Sequence, residues 1–149
     1  MRVISPDEAA ALVRPGARVF VAAKAGTPVV LLEALAKRAP ADVELFYFLL
    51  DGVDPVDLIA RAPQMRHRPL YVGEPLARAS TGEALSCVPL SLPAAAALVT
   101  SGRLSFDVAV VATSPPDPRG EVSLGPAVGM TSAVLARVPL AIAEIVPSM

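Results

Sequence analysis

Four stretches of the chain, residues 17–23, 43–50, 106–112 and 140–145, are almost unbroken apolar and β-branched runs, each carrying a single charged residue. A strand with one solvated face alternates apolar and polar side chains; these runs have no polar face, which is how strands buried on both sides of a parallel sheet read. Helix signals stand between them. Ser5 is an N-cap, Pro6 sits where a missing N–H costs nothing, Glu8 completes a capping box, and Pro15-Gly16 stops that first helix. Thr27 can cap and Pro28 can start a second helix through residue 38, with Leu31 and Leu35 one turn apart on its buried face. Lys37 and Arg38 suit its negative end, and Pro40 forbids continuation. Pro55, followed by Val56, Leu58 and Ile59, opens another helix, and residues 93–100 form an Ala-rich one closed by Gly102 at C′. Residues 129–137 read as the last, with Thr131 and Ser132 near its start. Residues 61–78 are irregular, 85–89 begin a further ordered stretch, and 121–124 are short and extended. Strands that alternate with helices predict a three-layer α/β fold, a mainly parallel sheet with helices on both faces.

Length and charge narrow the reading further. A chain of 149 residues fits one domain, 1–149, large enough to bury about 70% of its unfolded surface. A 54% apolar content with 18% charged residues excludes disorder, and the 16 prolines fall mostly between the predicted elements. The net charge of −1 offers no electrostatic reason to expect nucleic acid or an anionic membrane as partner. Cys87 is alone, so no internal disulfide forms, and the first residues do not read as a secretory signal. No apolar run approaches the roughly 20 residues that cross a bilayer. A cytoplasmic location is expected.

The candidate chemistry lies where two apolar runs end. After residue 112 the chain turns polar and stiff, as Thr113, Ser114, Pro115, Pro116, Asp117, Pro118, Arg119 and Gly120. Adjacent prolines fix φ and donate no backbone hydrogen bond, so this loop has a preformed shape, at the sheet edge where ligands of open α/β folds bind. A plain connector rich in turn formers reads the same way on chemistry alone. After the first run, Lys24-Ala25-Gly26-Thr27-Pro28 leads into a helix N-terminus, which is either an anion site made of backbone N–H groups or a turn that uses Gly for its geometry. Asp51, Asp54 and Asp57 lack the spacing of a calcium loop, so no metal is assigned. Arg61, Arg66, Arg68 and Arg78 could meet phosphates or form a solvated face. His67, between two arginines, has no sequence-local acid to orient it. No P-loop or G-x-G-x-x-G is present.

Residues 114–125, S-P-P-D-P-R-G-E-V-S-L-G, resemble the S-P-P-D-x-x-G-x-x-S-L-G signature of the acetyl-CoA hydrolase and CoA-transferase family, which includes acetate and 4-hydroxybutyrate CoA-transferases. Gly26-Thr27-Pro28 with Leu31, Leu32, Ala34 and Leu35 is similar to that family's first G-x-P-x-x-L-x-x-A-L turn. Arg78-Ala79, Gly82 and Val88-Pro89 resemble its R-x-x-x-x-G-x-x-x-x-x-P segment, and Ala143-Glu144-Ile145 its A-E-V strand. Val146 departs from the family, which usually places Asn there.

The resemblance implies a CoA-transferase-like fold and an N-terminal domain that acts on acyl-CoA thioesters and small carboxylates. Coenzyme A would enter as a substrate moiety, with no covalently bound cofactor. Such enzymes use a glutamate nucleophile, which forms an acyl-enzyme anhydride and then a glutamyl-CoA thioester. That glutamate lies in the family's C-terminal half, absent from these 149 residues, so the isolated chain is expected to be inactive. Its partners would be that half or another subunit, and a homo-oligomer is expected, with an apolar face exposed for docking. The substrate-pocket candidates are Gly26, Thr27, Pro28, Ser114, Pro115, Pro116, Asp117, Gly120, Ser123, Gly125 and Glu144; no catalytic residue is assigned. Glu144 stands in an apolar strand, where a carboxylate must find partners or shift its pKa upward. Two other readings stay open: a non-catalytic binding or scaffold module, and a sugar-phosphate isomerase-like enzyme with its own acid and base.

Overall fold

Five parallel strands form the middle layer: β1 (Arg18–Val21), β2 (Glu44–Tyr47), β3 (Arg66–Pro69), β4 (Val108–Thr113) and β5 (Leu140–Ile145), in the order β3-β2-β1-β4-β5. The computed structural model describes residues 2–78 and 82–149. Side chains one apart along a strand point to opposite faces, and the two faces build two cores. Val19, Val21, Val108 and Val110 face α1 (Pro6–Ala11), α2 (Val29–Arg38) and α3 (Pro55–Arg61). Phe20, Ala109 and Val111 face α5 (Leu92–Thr100) and α6 (Thr131–Leu135). Every residue of β4 is buried, as a strand covered on both sides requires. The three-layer α/β architecture is therefore the observed one.

The single charges in the apolar runs have positional meaning. Arg18, Glu44 and Asp107 all lie at the amino edge of the sheet and meet one another there. The Arg18 N–H donates to Asp107 Oδ2 at 2.7 Å, and its guanidinium lies 3.8 Å from Glu44 and 5.0 Å from the centre of the Phe46 ring. Glu144 is the exception, one residue before the carboxyl end of β5.

Three expectations need correction. Residues 61–78 are not irregular: they contain β3 and the short helix α4 (Glu74–Arg78). The run Arg66-His67-Arg68-Pro69 hides a strand because its buried positions are a histidine and a proline. Pro is tolerated because its missing N–H falls on the side of β3 away from β2. There an isolated bridge to Leu85 and the amides of Ser86 and Val88, which donate to His67 O and Pro69 O, meet the strand. Second, β5 is not buried on both faces; it is the opposite edge strand, and Ala141, Ala143 and Ile145 are exposed. Third, Thr27 does not cap α2. Pro28 occupies the N-cap position and offers no side-chain acceptor. The capping box of α1 and the closure of α5 by Gly102 (φ +76°) are as expected. Ala79, part of one resembling segment, lies outside the described residues.

Candidate functional site

The strand order places a topological switch point between β1 and β4. From β1 the chain moves outward to β2 and β3, whereas β4 and β5 build the other side. The helices that follow β1 and β4 lie on opposite faces, so the loops leaving those two strands part and leave a crevice between them. Those loops are residues 22–28 and 114–130, the two segments that carry most of the candidates. The first of them is tied to β4 at the base of the second: the Ala112 N–H donates to Gly26 O at 3.1 Å. A Cβ on Gly26 would stand a tight 3.3 Å from Ala23 O of its own turn and at ordinary contact distance, 3.8 Å, from Ala127 O, so Gly26 is where the two loops touch.

Residues 114–125 fold back on themselves. The Ser114 N–H donates to Ser123 O at 3.0 Å, the Asp117 N–H to Glu121 O at 2.8 Å, and the Ser123 N–H to Ser114 Oγ at 2.9 Å. Asp117 fastens the tip, its Oδ1 accepting from the N–H groups of Arg119 and Glu121, both at 2.9 Å. The Glu121 N–H first, then the Arg119 N–H and guanidinium, hold the Asp117 carboxyl below the usual carboxylate range. Gly120 (φ +82°) and Gly125 (φ +67°) turn the chain where a side chain would be strained, and Met149 closes over Gly125. Pro115 and Pro116 are exposed between these ties. Replacing Asp117 by Ala should speed hydrogen exchange at the Arg119 and Glu121 amides by roughly an order of magnitude, with Asn, which keeps one acceptor, in between. Unchanged protection in the Ala variant would show that the prolines alone shape the loop.

Glu144 crosses from β5 to α2. Its Oε2 accepts the Leu31 N–H at 3.0 Å, in a half-buried position. Leu31 is the third residue of α2, and helix starts leave such donors without intrahelical partners. Pro28 cannot supply a cap, and the Thr27 hydroxyl is taken by the Asp51 N–H at 3.1 Å, so the cap arrives from a strand 113 residues away. The backbone anion site expected at this helix start is thus at least partly filled by the protein's own carboxylate.

The arginines do not gather at this edge. Arg61 bridges α2 and α3 through two bonds to Glu33, at 2.7 and 3.0 Å, while Arg66 pairs with Asp42, Arg68 with Glu44 and Arg78 with Glu74. They are spent on structural ion pairs, the first three between separate segments and Arg78 within α4, which favours the structural reading of that cluster. Asp54 caps α3 and Asp57 pairs with Arg61. His67 is fully buried against Tyr47, at the far side of the sheet from β4. Two features of the candidate edge were not singled out from sequence. One is Lys24, in the left-handed region (φ +55°) with its ammonium 3.5 Å from Asp51. The other is Thr113, whose buried hydroxyl has no partner among the described residues. A charged residue inside an otherwise small and apolar turn was the available signal for Lys24.

The model of the acetyl-CoA hydrolase/transferase N-terminal domain matches residues 1–149. The chain belongs to that family. Among relatives, a succinyl-CoA:acetate/propanoyl-CoA:succinate CoA transferase of Fasciola hepatica is 26% identical over 143 residues, covering 93% of this chain. The chain spans about 30% of that relative's length. Among solved structures, RipA from Yersinia pestis superposes with a TM-score of 0.84 at 24% identity, over 98% of this chain and 37% of that one. A 4-hydroxybutyrate CoA-transferase from Porphyromonas gingivalis gives 0.71 at 24% identity, over 97% and 33%. At these identities the structural likenesses carry the fold. The candidate loops are therefore loops of the family's N-terminal domain, set at the switch point of its sheet.

Proposed function

We propose that residues 22–28 and 114–130 form one wall of a pocket in which acyl-CoA thioesters and small carboxylates are handled, as in a CoA-transferase or acyl-CoA hydrolase. The observation that carries this reading is Gly26 at the switch point, bonded to the Ala112 N–H of β4 and lying against Ala127 of the second loop. A second supports it: of the eight large apolar side chains exposed among the described residues, Val30, Tyr71, Leu92, Val122 and Val128 lie on loops or helix starts of the carboxyl edge, and Ile145 ends β5 there. An apolar rim around a polar loop suits a site that another part of the protein closes over. Glu144 is a structural acid in this reading, because its carboxylate is engaged by Leu31 and holds α2 rather than facing a thioester. The nucleophile is then supplied from outside this N-terminal domain, and the domain by itself releases no CoA.

The test is a titration of the isotope-labelled 149-residue protein with acetyl-CoA, followed by an assay of thiol release with and without acetate. Amide shifts confined to residues 22–28 and 114–130, with no thiol release, are expected. Shifts centred on β3 and α3 would displace the site, and turnover that vanishes in Glu144→Gln would make Glu144 the nucleophile.

A further inference from the structure

We propose that Lys24 selects the ionised carboxylic acid ligand of this site, its ammonium passing from Asp51 to the ligand's carboxylate; this rests on the functional reading of the carboxyl edge given above. The loops that leave the carboxyl ends of the five strands, residues 22–28, 48–54, 70–73, 114–130 and 146–149, contain two cationic residues, Lys24 and Arg119. Arg119 is held within its own loop, 3.4 Å from Asp117 and 3.3 Å from Glu121. The Leu31 N–H at the start of α2 is given to Glu144. Lys24 is the cation on these loops that an entering anion can reach without dismantling the signature loop.

The backbone of Lys24 supports the same reading. A φ of +55° is costly for any residue with a Cβ, by roughly 1–2 kcal/mol, and is commonly left to Gly or Asn. The conformation is held from both sides: the Lys24 N–H donates to Leu49 O at 2.8 Å, and Lys24 O accepts from the Thr27 N–H at 2.9 Å. It places the residue at the carboxyl end of β1, on the seam with β2 and two residues before Gly26. Asp51 is anchored independently through its own N–H on Thr27 Oγ1, so it stays in place if the lysine leaves. The pair itself is weak. Its 3.5 Å separation is long for a charged hydrogen bond, both side chains are 54% exposed, and pairs of this kind contribute only about 0–1 kcal/mol. A carboxylate ligand can therefore take Asp51's place at little cost. A neutral thioester carbonyl brings no charge to compensate the ammonium, so the exchange favours the free acid, or an acyl group that carries a second carboxylate.

The experiment is an NMR titration of the 149-residue protein with acetate and, separately, succinate, against chloride at matched ionic strength. It follows the Lys24 ε-methylene signal together with the amides of residues 22–28 and 114–130. Lys24→Met should weaken both acids by about tenfold or more, whereas Asp51→Asn should tighten them, because it removes the internal competitor. Lys37→Met, which breaks an exposed pair with Asp7, is the charge control and should leave affinity unchanged. Amide shifts that persist at wild-type affinity in Lys24→Met overturn the assignment of Lys24 while leaving the functional reading intact. Unchanged affinity in Asp51→Asn overturns the exchange, and a wild-type protein with no carboxylate-dependent shifts overturns both the exchange and the reading beneath it.

Discussion

Lowering the pH from about 6.5 to 4 is expected to remove about 3 kcal/mol of stability through one residue, His67. The imidazole is fully buried on β3, its Nδ1 3.0 Å from the Tyr47 hydroxyl and its Nε2 without a partner among the described residues. Burial pushes its pKa down to about 4, since an imidazolium there would lose its hydration with no counter-charge in return. The unfolded chain takes up the same proton near pH 6.5, so between the two values the unfolded state binds more protons and folding weakens as pH falls. Stability from this source is complete above pH 6.5 and spent by pH 4. Urea unfolding at pH 7, 6, 5 and 4 measures it. His67→Phe should flatten the decline across that window, although at pH 7 it begins less stable because the Tyr47 hydroxyl loses its partner. Adding Tyr47→Phe removes that complication. Glu8, Glu33 and Asp117, whose carboxyls are held below the usual range, titrate alike in all these proteins, so the difference between the curves isolates His67. Parallel curves for wild type and variant would defeat the prediction.

Glu144 should behave as a helix cap supplied from another strand. Glu144→Ala is expected to cost about 1–2 kcal/mol, because the Leu31 N–H is then left half-buried without its acceptor. Glu144→Gln keeps an acceptor oxygen and should cost less than half of that. Glu144→Lys should cost most, about 2–3 kcal/mol, since it also sets a cation at the positive end of α2. Hydrogen exchange at Leu31 supplies a local readout that a general loss of stability would not reproduce: its protection should fall in the order Gln, Ala, Lys. Equal stabilities for all three would return Glu144 to the list of candidate ligand groups. The placement also has a consequence for the site. Because β5 is joined to α2 by this bond, and β4 to Gly26 by the Ala112 amide, the crevice walls are tied together beneath the loops.

The elements legible in the sequence were those whose local chemistry and tertiary setting agree. The unbroken run at residues 106–112 had no solvent face to offer, and the burial of β4 on both sides follows from that alone. The Ser5 capping box and the Gly102 closure are made of neighbours in the chain, so nothing distant could overrule them. The tie made by Asp117 is equally local: its Oδ1 serves amides two and four residues on. The family signature then told which two loops to watch.

What escaped was whatever depended on residues far apart in the chain. β3 escaped because an edge position lets a strand carry arginines and a proline, and edge status is a property of the whole sheet. The exposure of β5 escaped for the complementary reason, since an apolar run does not say whether a helix covers its second face. Thr27 carries the right side chain for a cap, yet its hydroxyl serves Asp51 and the cap comes from Glu144. The local sequence determined where strands, helices and stiff turns form, because those choices rest on interactions within a few residues. Only the tertiary structure decided which polar group meets which, because a carboxylate or hydroxyl takes the unsatisfied donor that folding brings nearest, whatever its distance along the chain.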